Sequence, residues 1–273
     1  MPDAAAALDA PAPSWAHALL WGFARVGSVL ALLIAWEALA RTGTFTPFVL
    51  PSLTSVIERI GADAQSGELF INTSLTVYRA LTGFLISAVF GILIGVMMSR
   101  NVIANWFFDP IVSVGFPMPK IAFLPVVILW LGVYDVSKIT IVVIDAIFPV
   151  IAATLIAIRG VERELIWSAR NMGATDRELM WQIIVPASMP QILTGLQVAL
   201  PISMIVAVLA EMLMGRYGLG GAMVTASRFA DSRGVFAGIV EIAIVGYVLI
   251  KAMTILRRRL LIWHQEANEP TTA

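Results

Sequence analysis

Five ionisable side chains, Glu37, Lys120, Asp145, Glu211 and Glu241, stand inside stretches that are otherwise largely apolar. A charge at the centre of a bilayer costs ~2.5–3.5 kcal/mol on insertion scales. Such groups therefore face a bundle interior or an aqueous path, where they relay ions, meet a solute or pair with one another. Asp145 and Glu241 are the candidates for an ion relay, and Lys120 for contact with an anionic solute. Glu211 falls near the end of its apolar stretch and is expected to be partly exposed. Covalent and metal chemistry find little support. The chain has no cysteine, and His17 and His264 lie near opposite ends, so thiolate sites are excluded and a His-based triad is not expected. No Gly-x-x-x-x-Gly-Lys-Ser/Thr loop occurs, so no phosphate cradle for ATP is expected. The expectation is no catalytic residue, no metal and no cofactor, with energy for any active transport supplied by another subunit.

The stretches that carry these charges are long. Of the 273 residues, 59% are apolar and 13% are charged, with a mean hydropathy of +0.88. A soluble fold of this size has to cover its surface with more polar groups; lipid accepts apolar side chains outside the fold. A soluble protein with long buried helices is the alternative, but such helices usually carry a polar stripe. The 18 basic and 18 acidic residues balance, which argues against a nucleic-acid partner. Six spans are predicted, over residues 23–40, 80–99, 111–131, 139–158, 187–210 and 235–256. The second has 20 residues without a charge, about the length that crosses ~30 Å of hydrocarbon at ~1.5 Å per residue. In the third, Pro117, Pro119 and Pro125 cannot all belong to one regular helix. That span is expected to be broken, as a wall of a translocation path or as a static kink.

Arg257, Arg258 and Arg259 follow the last span, and Arg159, Arg163, Arg170 and Arg177 separate the fourth from the fifth. By the excess of basic residues on the inner side, these regions and both termini are expected in the cytoplasm, although Arg216, Arg228 and Arg233 fall in a loop expected outside. Residues 1–20 lack a basic start and read as a disordered tail, not a secretory signal. Residues 21–260 read as the transmembrane domain and 261–273 as a second cytoplasmic tail. Ser52-Leu53-Thr54-Ser55 is suited to capping a short helix. Gly91 and Gly95 on the second span allow close helix approach, while Trp106, Trp130 and Trp263 read as interfacial anchors.

The segment 160–186 is polar enough to leave the membrane, yet its periodicity is helical. A helix is predicted over 162–172, with Leu165, Ile166, Ala169 and Met172 on one face, ended by Gly173 in the left-handed conformation. Thr175 and Glu178 then form a capping box for a second helix running to Pro186, where the fifth span begins. Two rods joined by a tight turn between two spans make a lever; by capping signals alone they equally make a plain linking loop.

Here the chain resembles the importer permeases of the ATP-binding-cassette class. Ala-Arg-Asn-Met before Gly173, and Ile-Val-Pro about ten residues later, are similar to that family's cytoplasmic "EAA" loop, on which Ala169, Gly173, Ile184 and Pro186 match. The family's Glu-Ala-Ala reads Trp167-Ser168-Ala169 here, so its glutamate is missing. Leu50-Pro51-Ser52, Asn72-Thr73-Ser74-Leu75 with Arg79 and Gly83, Pro119 to Pro125, Leu129-Trp130-Leu131-Gly132, and Ala210-Glu211-Met212 with Gly218-Leu219-Gly220 are similar to the branch importing nitrate, taurine and alkanesulfonates. The resemblance implies an all-α polytopic membrane protein of six transmembrane helices with a cytoplasmic helix-turn-helix coupling loop. It implies a bacterial inner-membrane location, a separate ATPase subunit, a periplasmic solute-binding protein and a second permease copy. The ATPase-coupling residues would be Arg163, Glu164, Trp167, Ala169, Arg170, Met172, Gly173, Ala174, Thr175, Glu178, Ile184 and Pro186, with Trp167 docking by packing. Pro119, Lys120, Asp145 and Glu211 are candidates for the translocation path. An ion-gradient transporter, or an intramembrane enzyme or scaffold, are the alternatives.

Overall fold

The computed structural model describes residues 15–215 and 217–262, with side chains from residue 27 on. The tail expected over 261–273, Trp263 and His264 among it, lies almost wholly outside the described residues, as do residues 1–14 and Arg216.

Every regular element among the described residues is helical. Helix α1 (Trp15–Arg41) carries the first expected span and begins inside the stretch expected as tail. Helix α2 (Leu53–Ser66) opens on Ser52, whose hydroxyl accepts from the Ser55 amide at 3.3 Å. After a turn at Gly67, α3 (Glu68–Arg100) runs for 33 residues, longer than the predicted second span at its N-terminal side. Then come α4 (Val102–Gly115), a single 3-10 turn over Lys120–Phe123, and α5 (Leu124–Leu131). They are followed by α6 (Asp135–Arg159), α7 (Arg163–Asn171), the short α8 (Asp176–Glu178) and a π-helical turn over Leu179–Ile184. Helices α9 (Val185–Met214), α10 (Leu219–Arg228) and α11 (Ser232–Leu260) complete the chain.

Among the described residues four helical stretches are long and apolar enough to cross a membrane: α3, α6, the run containing α9, and α11. The pair formed by α4 and the Lys120–Leu131 segment makes a fifth if it is one span, bent by 94°. The break falls where Pro117 and Pro119 remove two amide donors, and Pro125 sits in the first turn of α5, where its missing N–H costs nothing. Helix α6 is the ruler for this pair. Arg159 Nη2 donates to Asn105 Oδ1 at 2.8 Å at one end, Lys120 meets Asp145 midway, and Ser137 Oγ donates to the Gly132 carbonyl at the other end.

Helices α3, α6 and α9 form the centre of the bundle. Along α3, Gly91 and Gly95 face Val150 and Thr154 of α6 so closely that an added Cβ would lie 2.7 Å from each side chain. The close approach expected of this glycine pair is thus made to α6 within the subunit. The apolar core gathers Ala80, Leu124, Ile141, Val142, Met204, Ala207 and Leu219. Outward faces remain greasy, with Val102 84% and Leu129 81% exposed, as expected where lipid replaces water.

Candidate coupling loop and the charge clusters of the bundle

In α7 the last turn closes on Gly173, whose φ of +88° is a left-handed conformation that β-branched residues resist. The Gly173 amide donates to the Arg170 carbonyl at 3.0 Å and the Ala174 amide to the Ala169 carbonyl at 3.1 Å. This pair of bonds is a Schellman motif and satisfies two carbonyls the helix would leave open. Immediately afterwards Thr175 Oγ1 accepts from the Glu178 amide at 3.3 Å, and Glu178 Oε2 accepts from the Thr175 amide at 2.9 Å. The capping box read from sequence is therefore built, and the Thr175 backbone bond, with its hydroxyl bond, holds the Glu178 carboxyl below its usual range.

The second rod differs from the expected plain helix. Only Asp176–Glu178 is α-helical before the chain widens into a π turn, in which the Val185 amide reaches back to the Met180 carbonyl. Pro186 has no amide to donate and its ring crowds the preceding turn; a wider turn upstream accommodates it, so the helix continues straight into α9 instead of restarting at Pro186. Only part of the expected α7 face turns inward. Ala169 is buried and Ile166 half-buried, but Leu165 is exposed and Met172 is 80% exposed. Trp167 and Trp181 are 57% and 60% exposed. Arg163, Glu164, Arg170, Thr175, Glu178 and Pro186 are likewise exposed, and Ala174 and Ile184 half-buried. The hairpin thus hides Ala169, Leu179 and Met180 and presents two tryptophans and a methionine outward.

At the opposite end, Glu211 is fully buried, which corrects the expectation of partial exposure. The chain after α9 folds back so that α10 covers it. Arg79 Nη1 donates to Glu211 Oε1 at 2.6 Å, Thr76 Oγ1 lies 2.9 Å from Oε2, and the Gly220 amide donates to Oε2 at 3.1 Å. Arg79 also donates to Asp135 Oδ1 at 2.9 Å and to the Tyr217 carbonyl at 2.8 Å. The Asn72 side chain accepts from the Gly218 amide at 2.9 Å. One guanidinium therefore ties α3, α6, α9 and the turn into α10. Arg79 was legible only as part of a motif, and no local signal paired it with Glu211.

Lys120 and Asp145, expected to be near the translocation path, meet each other. Lys120 Nζ lies 3.1 Å from Asp145 Oδ1, donates to the Phe116 carbonyl at 2.9 Å and sits 5.1 Å from the Phe148 ring centre. Pro119 precedes this cluster as the cap of the 3-10 turn. Glu37 is similarly held by Arg41 at 2.7 Å. Glu241 is buried, with Oε1 accepting from no described group. It lines a cavity of about 410 Å³ beside the ion pairs of Arg59 with Asp63, at 2.9 Å, and with Asp231.

A helical bundle with apolar outward faces, the ion pairs Arg79–Glu211 and Lys120–Asp145 inside it, and a capped turn between α6 and α9 is the architecture of a polytopic membrane protein. By sequence the chain belongs to the family of binding-protein-dependent transport system inner membrane components, whose pattern it matches over residues 87–262. It is 33% identical over 234 residues to a putative aliphatic sulfonates transport permease protein of Bacillus subtilis, covering 85% of each chain. It is 29% identical over 248 residues to the taurine transport system permease protein of Escherichia coli, covering 89% of this chain and 90% of the relative. Among solved structures, an amino acid ABC transporter chain superposes with a TM-score of 0.60 at 16% identity, over 73% of this chain and 95% of that one; that likeness concerns the fold alone. The chain is accordingly a permease subunit of an ABC importer and an inner-membrane component, not an enzyme, and family membership implies a separate ATPase and a solute-binding protein as partners. The ion-gradient alternative falls with this membership, and Asp145 is already held by Lys120.

Proposed function

We propose that the segment 160–186 is the element through which the ATPase drives this permease. The observation that carries the reading is the contrast within the hairpin: its turn is fixed by four backbone and capping bonds, while Trp167, Met172 and Trp181 stand exposed. Exposed aromatic and methionine side chains on an ordered support are what a partner's pocket captures. Because the second rod continues without interruption into α9, and the first follows α6 after a short turn, displacement of the hairpin is transmitted to both spans. Arg163, Glu164 and Arg170 flank this apex and are assigned to the same contact, and the missing glutamate is replaced by packing of Trp167.

The same reading includes six spans with the hairpin and both termini in the cytoplasm. Contacts of the bent pair along the whole of α6 support counting it as one span, and α1 is the sixth. Arg100, Arg159 and Arg257 to Arg259 end α3, α6 and α11, which supports an inner location for that end. A second copy completes the path, with Pro119 and the Lys120–Asp145 pair beside it and the Arg79–Glu211 pair near its outer end. The solute is a small organic anion of the sulfonate kind, in keeping with the taurine and sulfonate permeases. Delivery is by a periplasmic binding protein.

The test is co-purification of the tagged chain with its ATPase. Replacing Trp167 and Met172 together by alanine is expected to weaken the association by about tenfold or more, the scale of lost hot-spot side chains, with membrane insertion unchanged. Undiminished association overturns the assignment of the apex.

A further inference from the structure

Behind the hairpin, between it and the ends of α3 and α6, lies a cavity of about 330 Å³. Arg100, Arg159, Arg163 and Arg170 line it against one acid, Asp176. That acid is 3.6 Å from Arg170, and both side chains are largely exposed. Arg159 is engaged by the neutral Asn105. Four guanidinium groups thus converge from three elements with a single, loosely held counter-charge. Their mutual repulsion is relieved by an anion, and guanidinium forks match the oxygens of a phosphate in geometry as well as charge. Apart from Ser99, the remaining wall is apolar, with Ile158, Leu179, Met180 and Ile184 among it.

We propose that this cavity binds a phosphate group, carried by an anionic phospholipid headgroup or free in solution. Its position favours the lipid: Arg100 and Arg159 are the last residues of α3 and α6, two helices long and apolar enough to cross a membrane. Basic pockets between transmembrane helices on the cytoplasmic side take such headgroups. Occupancy would brace the inner side of the hairpin while the exposed tryptophans face outward. The lipid form rests on the cytoplasmic placement proposed above, and Arg163 and Arg170 are shared with the proposed ATPase contact, whereas Arg100 and Arg159 are not.

Two measurements on the purified full-length chain test it. In native mass spectrometry after delipidation, phosphatidylglycerol is compared with phosphatidylcholine, for the wild type and for Arg100→Gln and Arg159→Gln, both outside the proposed ATPase contact. In a second arm, thermal stability in detergent is followed with sodium phosphate and with sodium chloride at equal ionic strength. Preferential retention of phosphatidylglycerol, reduced about fivefold by each substitution as expected for ~1 kcal/mol per basic residue, supports the lipid form. Stabilisation by phosphate alone, lost in both variants, supports the soluble form. Equal retention of both lipids with no phosphate effect in the wild type overturns the proposal, whatever the variants do. So does a preference that both substitutions leave intact. Loss of ATPase association in Trp167→Ala/Met172→Ala is a separate readout that neither result presupposes.

Discussion

Arg79 on α3 and Glu211 on α9 meet at 2.6 Å with side chains 3% and 0% exposed, the buried ion pair that fastens the end of the bundle opposite the hairpin. The two partners are not equivalent. Arg79 retains the half-exposed Asp135 at 2.7 Å if Glu211 is removed. Apart from Arg79, Glu211 accepts from the neutral Thr76 hydroxyl and Gly220 amide.

Arg79→Ala is therefore expected to destabilise the bundle by about 3–5 kcal/mol, the cost of stranding a buried charge, and Glu211→Gln by clearly less. Equilibrium unfolding in mixed micelles measures both. Equal losses would contradict the asymmetry.

At the bend between α4 and α5, Lys120→Met alone leaves the Asp145 carboxylate without its cation and is expected to lower the amount of inserted protein. Pairing Lys120→Met with Asp145→Leu removes both charges, and replacing a buried pair by apolar groups is often neutral. The double variant should recover its membrane level and its uptake. Recovery of level without uptake would make the pair part of the transport chemistry.

Gly91→Leu would place its Cβ 2.7 Å from the Val150 side chain, with the rest of the leucine beyond it. Overpacking of this kind costs about 1–3 kcal/mol, so the variant should unfold earlier than wild type. Gly27→Leu, with open space around its Cα, serves as the control; similar behaviour of the two would count against the tight α3–α6 contact.

Strong acid should loosen the capping box of the hairpin. The Glu178 carboxyl is held below its ordinary range by the Thr175 backbone and hydroxyl bonds. A lowered value means that its contribution is complete above the unfolded value of about 4.3 and is lost as the pH falls through the lower folded value. Hydrogen exchange at the Glu178 amide should accelerate below that point in wild type. In Glu178→Gln the acid-induced step should be absent.

The hairpin was the most legible part of the molecule because its signals are local: a glycine, a threonine and a glutamate at fixed spacing determine the Schellman turn and the capping box. The break between α4 and α5 was legible for the same reason, since each proline acts on its own turn. Length and hydropathy likewise placed α6 and α9 within a few residues, whereas α3 begins at Glu68, well before the predicted start of the second span at residue 80. What sequence could not show was pairing across the bundle. Glu211 looked half-exposed because its apolar stretch ends beside it; its burial depends on α10 folding back and on Arg79 arriving from a helix 132 positions earlier. Lys120 and Asp145 read as separate candidates, for solute contact and ion relay, and proximity alone made them a pair. The π turn escaped notice because its cause, accommodation of Pro186 within a continuous helix, is also compatible with a break.

Gly173→Val tests whether the hairpin acts as a rigid coupler. A β-branched residue held at φ +88° is strained by roughly 1–2 kcal/mol, enough to disturb the turn without unfolding the spans. Uptake driven by ATP should fall to background while the inserted amount is unchanged. Normal uptake would show that the turn is dispensable.

The location of the hairpin can be measured most directly through Met172, whose side chain is 80% exposed at the apex. The chain has no cysteine, so Met172→Cys gives a single reporter. In intact cells with a permeable outer membrane, a membrane-impermeant maleimide should leave that thiol unmodified until the inner membrane is opened. Labelling before that step would put the hairpin on the periplasmic face, out of reach of any ATPase.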